Sequence, residues 1–443
     1  MREMKDSGVE WIGEIPEDWN VGKTLYALSM PITDGPHETP ELFDEGIPFI
    51  SAEAVSCGNG HIDFEHIRGF ISQEFYEECC KKYIPQINDI YMIKSGATTG
   101  KVAKVETQKL FTIWSPLAVF RVEPQRCYYE YLYYFIQSDA YQKQIENKWT
   151  YGTQQNIGMR TLEKLMICFP SITQQKLIAD YLDSKCSKID EIIEKQQAII
   201  EKLKEYKISI ITEVVTKGLD YEVDYKESGT EWLGKIPSHW QYLSFKNVLK
   251  ERNEKNFPVK TAERLSLSID KGVTLYSEKT TNLDRFKDDV SQYKLAHEGD
   301  FVLNSMNMIV GAVGISHYFG CVSPAYYTYY DNEEDHITAK YCDYLFHSKT
   351  VKKVLHSLGK GIMSIDRGDD RINTCRLKVS RTDLRALKIP VPPICEQREI
   401  VKYLQSKENL IDKTIADRNK AIDKFQEYKK SFIYEVVTGK KEV

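Results

Sequence analysis

The chain has 443 residues, 42% hydrophobic and 28% charged, with 24 Gly and 15 Pro. That balance suits about two to four globular domains and excludes a disordered protein, a collagen-like repeat and a small disulfide scaffold. The formal net charge is −5, from 60 Lys plus Arg against 65 Asp plus Glu, which taken globally argues against nucleic acid.

The sum hides a split. Residues 1–170 carry −8 and 171–225 carry −3, while 226–390 carry +4 and 391–443 carry +2. The positive charge is densest from Lys349 to Arg385, with ten Lys or Arg against four Asp. No run of about 18 apolar residues marks a spanning helix, and the start, Met1 to Asp6, is too charged for a signal peptide. Cys57, Cys79, Cys80, Cys127, Cys168, Cys186, Cys321, Cys342, Cys375 and Cys395 are scattered with no Cys-x-x-Cys pair. They read as reduced, mostly buried thiols of a cytoplasmic protein rather than staples or a zinc site.

The chain is written twice. Asp6 to Trp19, DSGVEWIGEIPEDW, recurs as Glu227 to Trp240, ESGTEWLGKIPSHW, with eight of fourteen positions identical at an offset of 221. Lys202 to Thr216 recurs as Lys424 to Thr438 with ten of fifteen identical at an offset of 222. Between these ends the register drifts: Asp89 and Gly100 match Asp300 and Gly311, and Ser115-Pro116 matches Ser323-Pro324. A period near 222 is too long for a solenoid, so two whole domains related by a pseudo-two-fold are expected.

In chain order, short β-branched or aromatic runs predict strands at Ile47–Ser51, Ile90–Ile93, Leu117–Val122, Phe301–Leu303 and Tyr326–Tyr330. Tyr128–Ile136 and Lys340–Phe346 read as helices, their tyrosines either half-buried core or platforms for stacked bases. From Gln174 to Thr216 there is neither Gly nor Pro, and Leu182, Ile189, Ile192, Ile199, Leu203, Tyr206 and Ile210 recur at 3-4 spacing. The second copy offers Leu404, Ile411, Ile415, Ala421, Ile422, Phe425, Tyr428 and Phe432. Each stretch follows a Pro and the first stops at Gly218, so each predicts a rod of about 65 Å, the pair forming an antiparallel coiled coil. Gln196 and Arg418 fall in the stripes, where a polar residue can fix register. Ile193, Ile200, Ile415 and Ile422 widen them into a second face suited to partner subunits.

The expected fold class is therefore α+β, with two duplicated domains of mixed or antiparallel sheet separated by two long helices. The expected segments are 1–170 and 219–392 for the domains, and 171–218 and 393–443 for the helices.

No catalytic motif emerges. Gly96 to Val102 imitates a P-loop but has Ser95 where the motif needs Gly and Val102 where it needs Ser or Thr. No methyltransferase Asn-Pro-Pro-Tyr box, H-E-x-x-H or G-x-S-x-G is present, and the nine His show no ligand spacing. The chain is expected to catalyse nothing alone and to bind no metal or cofactor. The loop around Lys94, Ser95, Thr98, Thr99 and Lys101 can still donate to phosphate or base edges. So can Lys360, Arg367, Arg371, Asn373 and Arg376, set in a Gly-rich basic stretch.

The repeated WIGEIP (Trp11 to Pro16) and WLGKIP (Trp232 to Pro237), with Trp19 and Trp240, precede halves ending in P-x-x-x-x-Q helices. Pro170, Gln175 and Ile178 match Pro392, Gln397 and Ile400. Together these resemble the specificity (S) subunit of type I restriction–modification systems, over essentially the whole chain. The Gly96 to Val102 loop and Gly152 to Ile157, with Gln154, Gln155 and Asn156, resemble that family's first recognition domain. In the second copy Asn304 and Asn307 stand in a loop that differs, as does Gly359 to Ser380. The resemblance implies a non-catalytic subunit whose two target-recognition domains each grip half of a bipartite, asymmetric site in double-stranded DNA. Half-sites roughly 34 Å apart, one helical turn, would suit antiparallel rods. It also implies two modification (methyltransferase) subunits bringing S-adenosylmethionine, and translocase–nuclease subunits using ATP and Mg²⁺. The alternative from the acidic first half is a coiled-coil protein scaffold without DNA contact.

Overall fold

The computed structural model describes residues 2–151, 155–278, 289–361 and 377–443. The chain divides into two compact units, Met1–Gln196 with Asn419–Val443, and Gln197–Arg418. The division falls inside the two long helices, Ile172–Lys217 and Ile394–Val437, not at their ends.

The first unit is built around a four-stranded antiparallel sheet in the order Thr33–Asp34, Leu117–Phe120, Ile90–Ile93, Val102–Lys104. Its two central strands are apolar without interruption because both faces are covered. Ile90, Met92, Ala118 and Phe120 point to the helices Tyr129–Gln137 and Asp139–Glu146. Tyr91, Ile93, Leu117 and Val119 point to a second core with Ile50, Ala54 and Val55. Strand alternation thus feeds two cores from one sheet. Beyond the second core, Ile47–Ile50 pairs antiparallel with Phe70–Ile71 and parallel with Thr112–Ile113.

The second unit repeats the sheet as Lys250–Glu251, Tyr326–Tyr330, Phe301–Asn304, Val313–Ile315. Phe301, Leu303, Tyr327 and Tyr329 join the core with helices Ile337–His347 and Lys349–Leu358, while Val302 joins Leu265, Leu267 and Val322 on the other side. Strand and helix positions expected from sequence hold within a few residues.

Each unit closes on the C-terminal end of one long helix. In the first, buried Tyr131 places its hydroxyl 3.0 Å from the Cys168 carbonyl and 3.2 Å from that of Val437. In the second, Tyr341 does the same with Pro390 at 3.1 Å and Val215 at 3.0 Å. Last-turn carbonyls have no intrahelical partner, so each phenol supplies the donor the buried helix end lacks. Just beyond, Gly439 (φ +72°) and Gly218 (φ +83°) turn the chain. A Cβ on Gly439 would meet Pro16 at 2.5 Å and Trp19 at 3.0 Å, and one on Gly218 would meet Trp240 at 3.3 Å. The repeated Trp and Pro are therefore lids on the incoming helix end. The P-x-x-x-x-Q motif is a clasp: Gln175 and Gln397, both buried, donate to the carbonyls of Pro170 and Pro392 at 2.9 Å.

Within each unit the long-helix segments run antiparallel. Asp190 faces Lys429 at 2.6 Å while Tyr181 packs on Phe432; Lys207 meets Asp412 at 2.9 Å and Glu408 at 3.2 Å. The two Asp–Lys pairs are the same pair at the 222 offset. The seam differs from the expected stripe in one respect: Ile192, Tyr206 and Tyr428 are 37%, 51% and 53% exposed. The buried positions along the first long helix include Leu182, Cys186, Ile189, Ile200 and Ile210 instead. The tyrosine run is core, with Tyr131, Tyr133 and Tyr134 buried.

Replacing Tyr131 or Tyr341 by Phe should cost about 1–3 kcal/mol, since buried carbonyls lose their donor while the ring is kept. Urea unfolding measures this, and an unchanged midpoint for both variants would contradict the closure.

Candidate nucleic-acid interface

The same hairpin loop occurs once in each unit. Residues 94–101 join strands Ile90–Ile93 and Val102–Lys104, and residues 305–312 join Phe301–Asn304 and Val313–Ile315. The first is closed by Gly100 N donating to Ile93 O at 2.8 Å and by the Thr99 hydroxyl donating to Gly96 O at 2.7 Å. The second is closed by Asn304 N to Ala312 O at 3.1 Å and Ala312 N to Asn307 O at 3.0 Å.

A later segment backs each loop. Gly96 N donates to Gln155 O and Ile157 N to Lys94 O, both at 3.0 Å. In the second unit Val379 N donates to Ser305 O at 3.0 Å. Two stretches flagged separately in the sequence, the Gly96 loop and Gln155–Asn156, therefore form one surface.

The candidate side chains divide by what already occupies them. Lys94 is 9% exposed with its ammonium 3.3 Å from buried Asp34, which also holds Lys82 at 2.5 Å. A buried carboxylate requires such cations, so Lys94 is structural and not the free DNA contact expected. Asn304 is likewise turned inward, its side-chain oxygen accepting from Met306 N at 3.1 Å. The Thr99 proton is spent inside its own turn. Ser95, Thr98 and Gln155 are half-buried, and Lys101, Asn156 and Asn307 are exposed. Lys101 reaches Ser56 O at 3.3 Å. Asn307 stands between Met306 and Val310, which are 45% and 53% exposed. Lys360 is exposed and 3.2 Å from Asp383. Gln154, Arg367, Arg371, Asn373 and Arg376 lie outside the described residues.

Of the partner-binding candidates, Ile200 and Ile422 are 5% and 7% exposed, and Ile193 and Ile415 are half-buried. Ile200 and Ile422 are covered and offer no free docking face.

Behind each hairpin a conserved geometry fixes its base. Asp89 receives Arg121 through Nε at 2.8 Å and Nη2 at 2.7 Å, and Asp300 receives Arg252 at 2.6 and 3.0 Å. The Asp89 carboxylate raises the Arg121 pKa. These buried forks hold the strands that carry the loops. Two loop neighbours, Gln142 and Lys352, escape motif reading; only their equal spacing from Ser138 and Ser348 marks them as counterparts.

A rigid hairpin tip with exposed amide, hydroxyl and apolar groups can address base edges and phosphates. Among the described residues no group of three or more His, Cys, Asp or Glu could hold a metal ion, and no helix is long and apolar enough to cross a membrane.

Residues 36–210 and 237–424 match the family described as type I restriction modification DNA specificity domain. The chain belongs to that family, carries its domain twice, and acts in DNA sequence specificity within a type I restriction–modification system. The protein-only scaffold is thereby set aside.

Among relatives, a Methanocaldococcus jannaschii chain provisionally assigned as the MjaX type I restriction enzyme specificity subunit is 27% identical, covering 97% of this chain and 95% of its own length. The Escherichia coli EcoKI specificity subunit is 21% identical, covering 89% and 82%. A solved chain described under assembly and conformational transition of the type I R-M system superposes with a TM-score of 0.66 at 13% identity. It covers 96% of this chain and 98% of its own, and so agrees on the fold.

Proposed function

We propose that each unit reads one half of a bipartite, asymmetric DNA site, and that the long helices dock methyltransferase subunits. The restriction subunits join that complex, and S-adenosylmethionine, ATP and Mg²⁺ are held by the partners, not by this chain.

One observation carries the half-site reading. In each copy the variable middle enters and leaves the repeated frame on a single antiparallel strand pair: Asn20–Lys23 with Met166–Phe169, and Gln241–Ser244 with Lys388–Val391. The outermost partners are Asn20 with Phe169 and Gln241 with Val391. Beyond that ribbon each middle is tied to the frame through its tyrosine helix, Tyr131 to Val437 and Tyr341 to Val215, so the rest of the middle is free to vary while Trp, Pro, Gln and that Tyr keep the frame. The two hairpin tips differ in chemistry, as the reading of two different half-sites requires.

The docking surface follows from the same repeat. Tyr206 and Tyr428 occupy equivalent places in the most strongly repeated segment, and both are about half exposed at 51% and 53%. A repeated, exposed aromatic on a rigid rod suits two identical partners, since Tyr is enriched at interface hot spots.

A chain carrying residues 241–391 in both halves should still assemble and should methylate an inverted repeat of the second half-site. Mapping methylated adenines in cells decides it; an unchanged asymmetric site would refute modular reading. For docking, Tyr206→Ala with Tyr428→Ala should abolish co-purification with the methyltransferase subunit at an unchanged melting temperature. Full recovery of the complex would contradict the assignment.

A further inference from the structure

The two hairpins are held from behind by different chemistry. In the first unit Gln142, four residues past Ser138, donates to Gly100 O at 3.0 Å and Ile136 O at 2.7 Å. A Cβ placed on Gly100 would sit 2.3 Å from its Oε1. Both amide protons are engaged and the side chain is neutral, tying the loop to the domain.

Lys352 occupies that place in the second unit, four residues past Ser348, on the helix Lys349–Leu358. A Cβ on Gly311 would lie 3.0 Å from its Nζ. Lys352 is half-buried, and neither a hydrogen bond nor an ion pair is made by its ammonium within the described residues. His347, which faces the same glycine, is itself paired with Asp343, whose carboxylate lies 3.4 Å from its Nδ1. Burial lowers the Lys352 pKa, and among the described residues no carboxylate offsets it. Burying a cation without a partner costs free energy unless an anion arrives.

We propose that Lys352 is a DNA phosphate contact that seats the second hairpin on its half-site, at a place where the first unit has the neutral Gln142. It rests on the reading of this unit as a DNA-recognition domain. The ammonium sits beside the loop that carries exposed Met306, Asn307 and Val310, so a phosphate bound there would bring those side chains toward the adjoining bases. A lysine suits this task as a compact point charge whereas Gln142 does not.

The test uses the full chain assembled with its methyltransferase subunits, on a duplex bearing the methylated site and on a mixed-sequence duplex. Lys352→Gln should weaken both duplexes by the same factor and flatten the plot of log affinity against log salt by about one unit. Lys352→Met should do likewise, Lys352→Arg should restore the slope, and the methylated sequence should not change. An unchanged slope in both neutral variants, at an unchanged melting temperature, overturns the assignment. So does a variant that relaxes one base position, which would make Lys352 a base reader. Failure of the unaltered complex to bind either duplex would instead bring down the DNA-recognition reading itself.

Discussion

The structure depends on ending a long helix inside a folded core. A helix more than forty residues long leaves last-turn carbonyls that must find donors once water is excluded. For one buried carbonyl of each end the donor is a tyrosine hydroxyl, Tyr131 for Val437 and Tyr341 for Val215. Around that contact the rest falls into place: a glycine to turn away, a Trp–Pro lid that only glycine can approach, and a clasping Gln at the start of the other helix. The most repeated residues of the sequence serve this junction, which explains why they repeat although they lie far from the hairpin tips.

Once the frame is fixed, the sheet can present loops of unlike chemistry. The first tip is built from Ser95, Thr98 and Lys101 and tied down by a neutral amide. The second offers Met306, Asn307 and Val310 with the Lys352 ammonium beside it, unpaired among the described residues. The buried Arg–Asp forks under each hairpin, Arg121 with Asp89 and Arg252 with Asp300, are structural and come from different strands in the two copies. Two domains of common descent have thus kept a geometry and changed its surface.

Much of the fold was legible because repetition and periodicity are direct records of packing. The strands at Ile90–Ile93 and Tyr326–Tyr330 and both long helices follow from apolar spacing alone. The site was less legible, since residue type does not say which way a side chain turns. Lys94 looks like a phosphate ligand until Asp34, sixty residues earlier in the chain, is seen to claim it. Asn304 looks like a base reader until it is seen to cap its own turn. Ile200 and Ile422 look like an extra face because a 3-4 pattern cannot tell a wide seam from a docking surface. Lys352 carried no motif at all; only its place against Gly311, matching that of Gln142 against Gly100, reveals that a lysine replaces a glutamine at a loop.

The central claim is that one chain reads two different half-sites. Mapping methylated adenines across the genome of cells with and without this chain tests it most directly. The expected motif has two unequal specified blocks separated by an unspecified gap, and it is lost entirely when the chain is removed. A single uninterrupted palindrome, or methylation that persists without the chain, would contradict it.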